Sequence, residues 1–295
     1  MKLGYKISHM KIGLFYSYPR FEEKSFLAAA QTLKLKIQKI RTTDLAIELK
    51  AKKTNNFQCD LILLRSLSHY QNYYCANFCH TYKIPTLNPL AVLHTCGDKF
   101  LTSLALTRNR IPTLKTWICF SVESALATAK KIGYPIVIKP NIGSWGRLIA
   151  KISDQASLEA LLEHKQFLGG STHASIFYLQ EYIAKKAQRD IRILTCGQEI
   201  LGAIYRQSEH WITNTARGGT TLKLKITPSI KNLVQKTIKA LAFSELSLLG
   251  IDLIETPQGL KVLEVNAGVE FHGLSETTQE DLAFKILQKI QAQKG

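Results

Sequence analysis

Long apolar runs are missing from this sequence. Runs such as Leu61 to Leu64 and Ile136 to Ile138 stop far short of the roughly 20 residues a membrane helix needs, so none is expected. No apolar core of a secretory signal is seen near Met1 either, so no leader is expected. Lys2 and Lys6 are followed only by Ile7, Ser8 and His9 before a second methionine, Met10, so a cytoplasmic protein is expected, with residues 1–9 an extension ahead of the first strand. The six cysteines (Cys59, Cys75, Cys79, Cys96, Cys119, Cys196) contain no CxxC pair, which speaks against a disulfide framework or a zinc ribbon. Cys75, Cys79 and His80 form a partial cluster, but buried free thiols are the better reading. There is no internal repeat, no low-complexity tract, no helix-turn-helix or RNA-binding signature and no alternation of aromatic and basic residues, so no nucleic-acid partner is expected. Acid is also scarce: 22 Asp and Glu against 39 Lys and Arg leave a net charge of +17, a field that favours an acidic partner.

What is present suits a folded protein of several lobes. With 295 residues, 45% of them hydrophobic, the chain can bury enough surface for two or three compact units. Ile12 to Tyr16 reads as a strand, Glu22 to Leu35 as a helix and Leu61 to Leu64 as a second strand, a small open α/β unit that closes at Pro85 and Pro89. A second lobe follows, with a helix at Lys99 to Thr107, a strand near Trp117 to Phe120, a helix over Ser121 to Ile132 and a strand at Ile136 to Lys139; Ser121 opens that helix and Gly133 stops it. A third, from about Gln180, has strands at Ile191 to Thr195, Ile200 to Tyr205, Gly250 to Glu255 and Leu260 to Asn266, with a long helix over Ser229 to Phe243.

Several segments carry chemistry. After the apolar strand ending in Lys139 comes a turn containing Gly143, Ser144, Trp145, Gly146 and Arg147, where small residues let backbone amides approach a phosphate and the two cations neutralise it. It is neither a Walker loop nor a dinucleotide fingerprint, and a plain hairpin is the alternative. Asp252 sits inside an apolar strand, and Glu264 and Asn266 share a face of the next, separated from it by the turn Thr256 to Gly259. A hairpin would bring the three oxygens together as a magnesium site, and acids embedded among apolar residues are costly unless paired or metal-bound. Arg189-Asp190-Ile191-Arg192 and the segment from Trp211 to Gly219, with Asn214 and Arg217, offer guanidinium forks for carboxylate or phosphate oxygens; each could equally be a salt-bridged turn.

The order of these pieces resembles the ATP-grasp ligases of the RimK and LysX type. Lys99, Lys139, the 143–147 turn, Gln180-Glu181-Tyr182-Ile183, Arg189 to Arg192, Asn214 to Gly219, Asp252 and Glu264-Val265-Asn266 carry the resemblance, which runs from about Met10 to the C-terminus. It is nearest to the LysX enzymes of amino-group-carrier lysine biosynthesis through Ile142 to Arg147, Glu163-His164-Lys165, His210 to Arg217 and Glu270-Phe271. The resemblance implies an α/β chain with an ATP-grasp fold. Residues 1–95 would be an N-terminal Rossmann-like pre-ATP-grasp domain, 96–179 a central lobe with the glycine-rich phosphate loop, and 180–295 a C-terminal lobe with the adenine hinge, magnesium and substrate sites.

By the same resemblance, ATP would be held by Lys99, Lys139, the 143–147 turn, the Gln180 to Ile183 hinge, Asp190 and Arg206. Magnesium, or manganese in its place, would be held by Asp252, Glu264 and Asn266. Arg192, Asn214 and Arg217 would serve the chemistry, and Glu270 and Phe271 would border the amino-acid pocket. The implied reaction phosphorylates the C-terminal glutamate of a small acidic LysW-like carrier protein and joins it to α-aminoadipate or glutamate, in a homo-oligomeric enzyme. His272 and Gly273 depart from the Glu-Phe-Lys-Asn and Glu-Phe-Lys-Gly patterns of such ligases, which bears on the acceptor. A RimK-like glutamate ligase acting on an acidic tail or peptide, and a nucleotide-binding regulator without chemistry, are the other readings.

Overall fold

The computed structural model describes residues 10–49, 57–143, 147–169, 176–214, 218–241 and 246–292. Three sheets organise them. The first is parallel, in the order β2-β1-β3-β4, from β1 (Lys11–Tyr16), β2 (Lys36–Arg41), β3 (Leu61–Arg65) and β4 (Thr86–Leu87), with α1 (Phe21–Thr32) and α2 (His69–Thr81) as connections. β1 and β3 are nearly continuous apolar runs because parallel strands inside an α/β layer are covered on both faces. β2 is a lysine-rich edge with mostly exposed or half-buried residues, a composition that discourages pairing with another chain.

Two helices, α3 (Leu90–Cys96) and α4 (Lys99–Arg108), lead to the middle sheet. There β5 (Thr116–Cys119), β6 (Ile136–Lys139), β7 (Ala150–Ile152) and β8 (Phe177–Glu181) pair antiparallel in the order β5-β8-β6-β7. α5 (Val122–Ile132) and α6 (Gln155–Gly169) cover one side, and Ala125, Ile136, Leu158, Leu162 and Phe177 form its core. Ser121 and Ser124 cap α5 reciprocally, and Gly133 ends it at φ +84°.

The third sheet is antiparallel, in the order β11-β10-β9-β12-β13. Its strands are β9 (Arg189–Cys196), β10 (Glu199–Gln207), β11 (Thr220–Lys223), β12 (Leu248–Thr256) and β13 (Gly259–Asn266). α7 (Pro228–Leu241) buries Ile230, Leu233, Val234 and Ile238 against Ile191, Ile193, Leu249, Ile251 and Leu253 on one face. Strand alternation therefore turns Asp190, Arg192 and Asp252 to the opposite face, toward the middle sheet. α8 (His272–Thr278) and α9 (Leu282–Ala292) close the chain, and α9 packs on α1, so Phe26, Leu14, Phe271, Ile286 and Leu287 belong to one core shared by the first and third sheets. β8 keeps Gln180 and Glu181 within the middle sheet, and the chain crosses to the third over 182–188.

Candidate active site

The polar face of the third sheet is a ladder of opposite charges written by register. Arg192 on β9 pairs with Asp252 on β12, which in turn pairs with Glu264 on β13; Asp190 on β9 pairs with Arg206 on β10. The side chains follow. Arg192 Nη1 donates to Asp252 Oδ1 at 2.7 Å, Arg206 Nη2 lies 3.0 Å from Asp252 Oδ2, and Arg206 Nε donates to Asp190 Oδ1 at 2.8 Å. Lys185 Nζ reaches Asp190 Oδ2 at 2.9 Å and Thr213 Oγ1 at 2.6 Å. Burial pushes the Asp190 carboxyl up, but Arg206 and Lys185 outweigh it and hold the carboxyl well below its usual range. Burial likewise works against the Arg206 charge, and Asp190 and Asp252 more than compensate. Gly250 makes this possible, since a Cβ there would lie 2.9 Å from the Arg192 guanidinium carbon.

A bulge between Asp252 and Leu253 brings Glu264 opposite Asp252. Lys99 Nζ lies 3.3 Å from Glu264 Oε1 and donates to the Gly143 carbonyl at 2.8 Å, tying the start of α4 to both sheets. Burial raises the Glu264 carboxyl, yet Lys99 and Lys139 bring it below its ordinary value, so it is ionised. With the Asn266 amide on the same strand it offers hard oxygen donors of the kind magnesium takes, while Asp252 beside it is paired to arginines through both oxygens.

Two spaces meet on this ladder. The narrower, about 270 Å³, lies between the middle and third sheets and is walled by Leu114, Val137, Ile183, Trp211, Ile254 and Leu263, with the 181–183 backbone along its edge. A slot with an apolar wall and a few polar groups at its end suits a heterocyclic base. Lys139 is buried at its inner end, donating to Gln180 Oε1 at 2.7 Å, while Gln180 Nε2 is 3.2 Å from Thr116 Oγ1 and 3.3 Å from the Tyr178 hydroxyl. Burial, reinforced by Lys99 and Lys185 and opposed by Glu264, lowers Lys139 to about 8. The larger space, about 690 Å³, is lined by Arg20, Lys99, Arg192, Thr220, Glu270 and His272 among others. Ile149, Arg206, Asn214, Asp252 and Glu264 line both, so one continuous cleft runs from an apolar slot to a charged chamber.

The sequence-derived residues distribute along this cleft. Lys139, Gln180, Glu181, Tyr182, Ile183 and Asp190 line the slot; Lys99, Gly143, Arg147, Arg192, Asn266 and Glu270 line the chamber; Arg206, Asn214, Asp252 and Glu264 stand at the junction. Ser144, Trp145, Gly146 and Arg217 lie outside the described residues. Phe271, expected beside the amino-acid pocket, is 1% exposed and packs edge-on against Phe21 and Phe26, because its apolar ring is worth more in the core; Glu270 and His272 line the chamber instead. Asp252, expected to face a metal, gives both oxygens to arginines. Sequence reading missed Arg20, Thr220 and Thr221, which line the chamber, and the Tyr178 and Thr116 hydroxyls behind Gln180. Arg20 is 250 residues from its partner Glu270, and no local pattern announces such a pair.

Comparison with known proteins gives the same picture. A RimK-like ATP-grasp domain model matches residues 96–290, and a LysX preATP-grasp domain model matches 12–95. The chain is 33% identical to an α-aminoadipate–LysW ligase LysX of Saccharolobus solfataricus, over 92% of this chain and 97% of that one. It is 31% identical to a glutamate–LysW ligase ArgX of Sulfurisphaera tokodaii, over 95% and 98%. A RimK domain ATP-grasp protein from Sphaerobacter thermophilus superposes with a TM-score of 0.78 at 22% identity, covering 94% of this chain and 98% of that one. With the cleft running from an apolar slot to a charged chamber, and with both domain models in order, the chain belongs to the RimK/LysX family of ATP-grasp ligases, which use ATP to form a carbon–nitrogen bond through an acyl phosphate.

Proposed function

We propose that this ligase activates the C-terminal carboxylate of a small acidic LysW-like carrier protein and joins it to the amino group of α-aminoadipate, with glutamate as the second acceptor. The observation that carries the reading is the junction: Arg206, Asn214, Asp252 and Glu264 border the slot and the chamber at once, so a phosphate entering from one side meets a carboxylate entering from the other. The names of the LysX and ArgX relatives supply the carrier and the two acceptors, and a charge of +17 suits an acidic donor.

In this reading the slot takes adenine against the 181–183 backbone, and Lys139 and Lys99 meet the phosphates. A carboxylate oxygen attacks the γ-phosphorus, ADP leaves, the amine nitrogen attacks the acyl carbon, and phosphate departs. Arg192 and Arg206, preorganised by Asp252 and Asp190, offer fixed donors where charge develops. Magnesium would be held by Glu264, Asp252 and Asn266 and would neutralise phosphate charge; manganese, equally at home among oxygens, is expected to substitute. The test is direct: incubate with ATP, magnesium, a LysW-like carrier and a panel of amino acids, and weigh the carrier. A mass gain of one α-aminoadipate residue is expected. No gain with any amino acid would overturn the reading.

A further inference from the structure

The loop over 267–271, between β13 and α8, is a partition. Gly268 and Glu270 line the chamber on one side and, on the other, a second cavity of about 240 Å³ bordered by Arg65, Ser66, His69 and Asn72. Val269 and Phe271 anchor this loop in the core, while Gly268 and Glu270 face open space on both sides and take their placement from polar contacts. Polar side chains of the first sheet's domain reach across to hold it. Asn88 Nδ2 donates to the Ala267 carbonyl and Arg65 Nη1 to the Val269 carbonyl, each at 2.6 Å. Arg20 pairs with Glu270, and Glu22 Oε1 accepts from the amides of Phe271 at 2.9 Å and His272 at 3.1 Å. Beneath them Glu23, wholly buried, holds Arg20 and Arg65, each at 3.0 Å.

Glu22, Glu23, Arg65 and Asn88 are all more than nine-tenths buried. Burying such charges gains little stability over apolar packing of the same volume, so stability is a poor reason for the set to exist. Location is a better one. The narrow slot takes its lining from Leu114 onward, with nothing from the first sheet's domain, whereas this network ends on the wall that presents Glu270 and His272 to the chamber.

We infer that Arg65 and Asn88, which stand behind the chamber, and Arg20 and Glu22, which join them to its lining, position this wall and thereby set the affinity for the acceptor amine, while leaving nucleotide binding to the other two sheets. The inference rests on the reading above, in which the chamber takes the amine. Its signature is a split in kinetic constants. Arg20→Lys keeps the charge but loses the fork that joins Glu23 to Glu270, and Glu22→Ala frees the two amides; each is expected to raise the amine KM about ten- to a hundredfold, with the ATP KM unchanged within about twofold. Glu22→Gln retains an acceptor oxygen and is expected to recover most of the loss. If Glu22→Ala fails to fold, Arg20→Lys carries the test, since Arg20 is at the partly exposed end of the network. Amine and ATP constants rising together, or an unchanged amine KM with a lower melting temperature, would overturn the inference while wild-type ligation stands. Wild-type protein that joins neither α-aminoadipate nor glutamate would overturn the functional reading and this inference with it.

Discussion

Glu264 and Lys139 show how one buried charge is kept useful by its neighbours. Glu264 is ionised because Lys99 and Lys139 face it, and it can serve a cation only in that form. Glu264→Gln keeps the shape and removes the charge, so turnover should fall roughly a thousandfold, with ADP release falling in step. Near-normal turnover at modest magnesium would remove Glu264 from the metal set. Lys139 is lowered from 10.5 to about 8, chiefly by burial. The folded protein thus releases this proton before the unfolded chain does; the cost of burying the charge is present in full below about pH 8 and is recovered as pH climbs from there toward the unfolded value. Nucleotide binding has the opposite sign, because phosphate needs the charged amine. Calorimetric ATP affinity should weaken above about pH 8 in the wild type, and Lys139→Met should bind weakly with a flat profile over that range.

At the scale of elements, side chains are delivered by register and by caps. β9, β12 and β13 align Arg192, Asp252 and Glu264, and Gly250 leaves room for the guanidinium that crosses it. A Cβ there meets the flexible end of Arg192, so Gly250→Ala should displace the arginine and spare the strand. Turnover is expected to drop about tenfold or more while the urea midpoint barely moves; a large loss of stability with normal kcat in the folded fraction would refute this. α4 depends on its first turn. Asp98 Oδ1 accepts from Phe100 N at 2.7 Å and Leu101 N at 3.1 Å, and the next residue is Lys99. Asp98→Ala should cost about 1 kcal/mol in denaturant unfolding and raise the ATP KM by loosening Lys99, whereas Asp98→Asn, also a good cap, should be close to wild type.

Across the whole molecule, charge and core are distributed differently. One core joins the first sheet to the third through α1 and α9, while the middle sheet has its own. The chain as a whole carries a net charge of +17. Association with an acidic carrier should therefore be fast at low salt and slow steeply as salt rises, because steering is screened beyond about 8 Å at physiological ionic strength. Stopped-flow rates that do not change with salt would argue for a small-molecule donor instead. Among the described residues no helix is long and apolar enough to cross a membrane.

The strands and helices were legible because their signals are local. Ile136 to Ile138 is apolar throughout, Ser121 and Gly133 punctuate α5, and Asp252 and Glu264 stand out as acids set between apolar neighbours. The spacing of Asp252, Glu264 and Asn266 even foretold the hairpin that brings the acids together. Several elements escaped the reading, among them the short strands β4, β7, β8 and β11 and the helices α3, α8 and α9; of the rest, β2 is a charged edge, α2 mixes aromatic and polar residues with almost no amphipathic contrast, and the apolar positions of α6 do not make a clean stripe. Partnership was the other thing only the tertiary structure decided. Which arginine holds Asp252, that Phe271 turns inward, and that Arg20 meets Glu270 across 250 positions depend on how separate elements pack. A periodicity is written along the chain, but a long-range contact is chosen only when burial brings its two ends together.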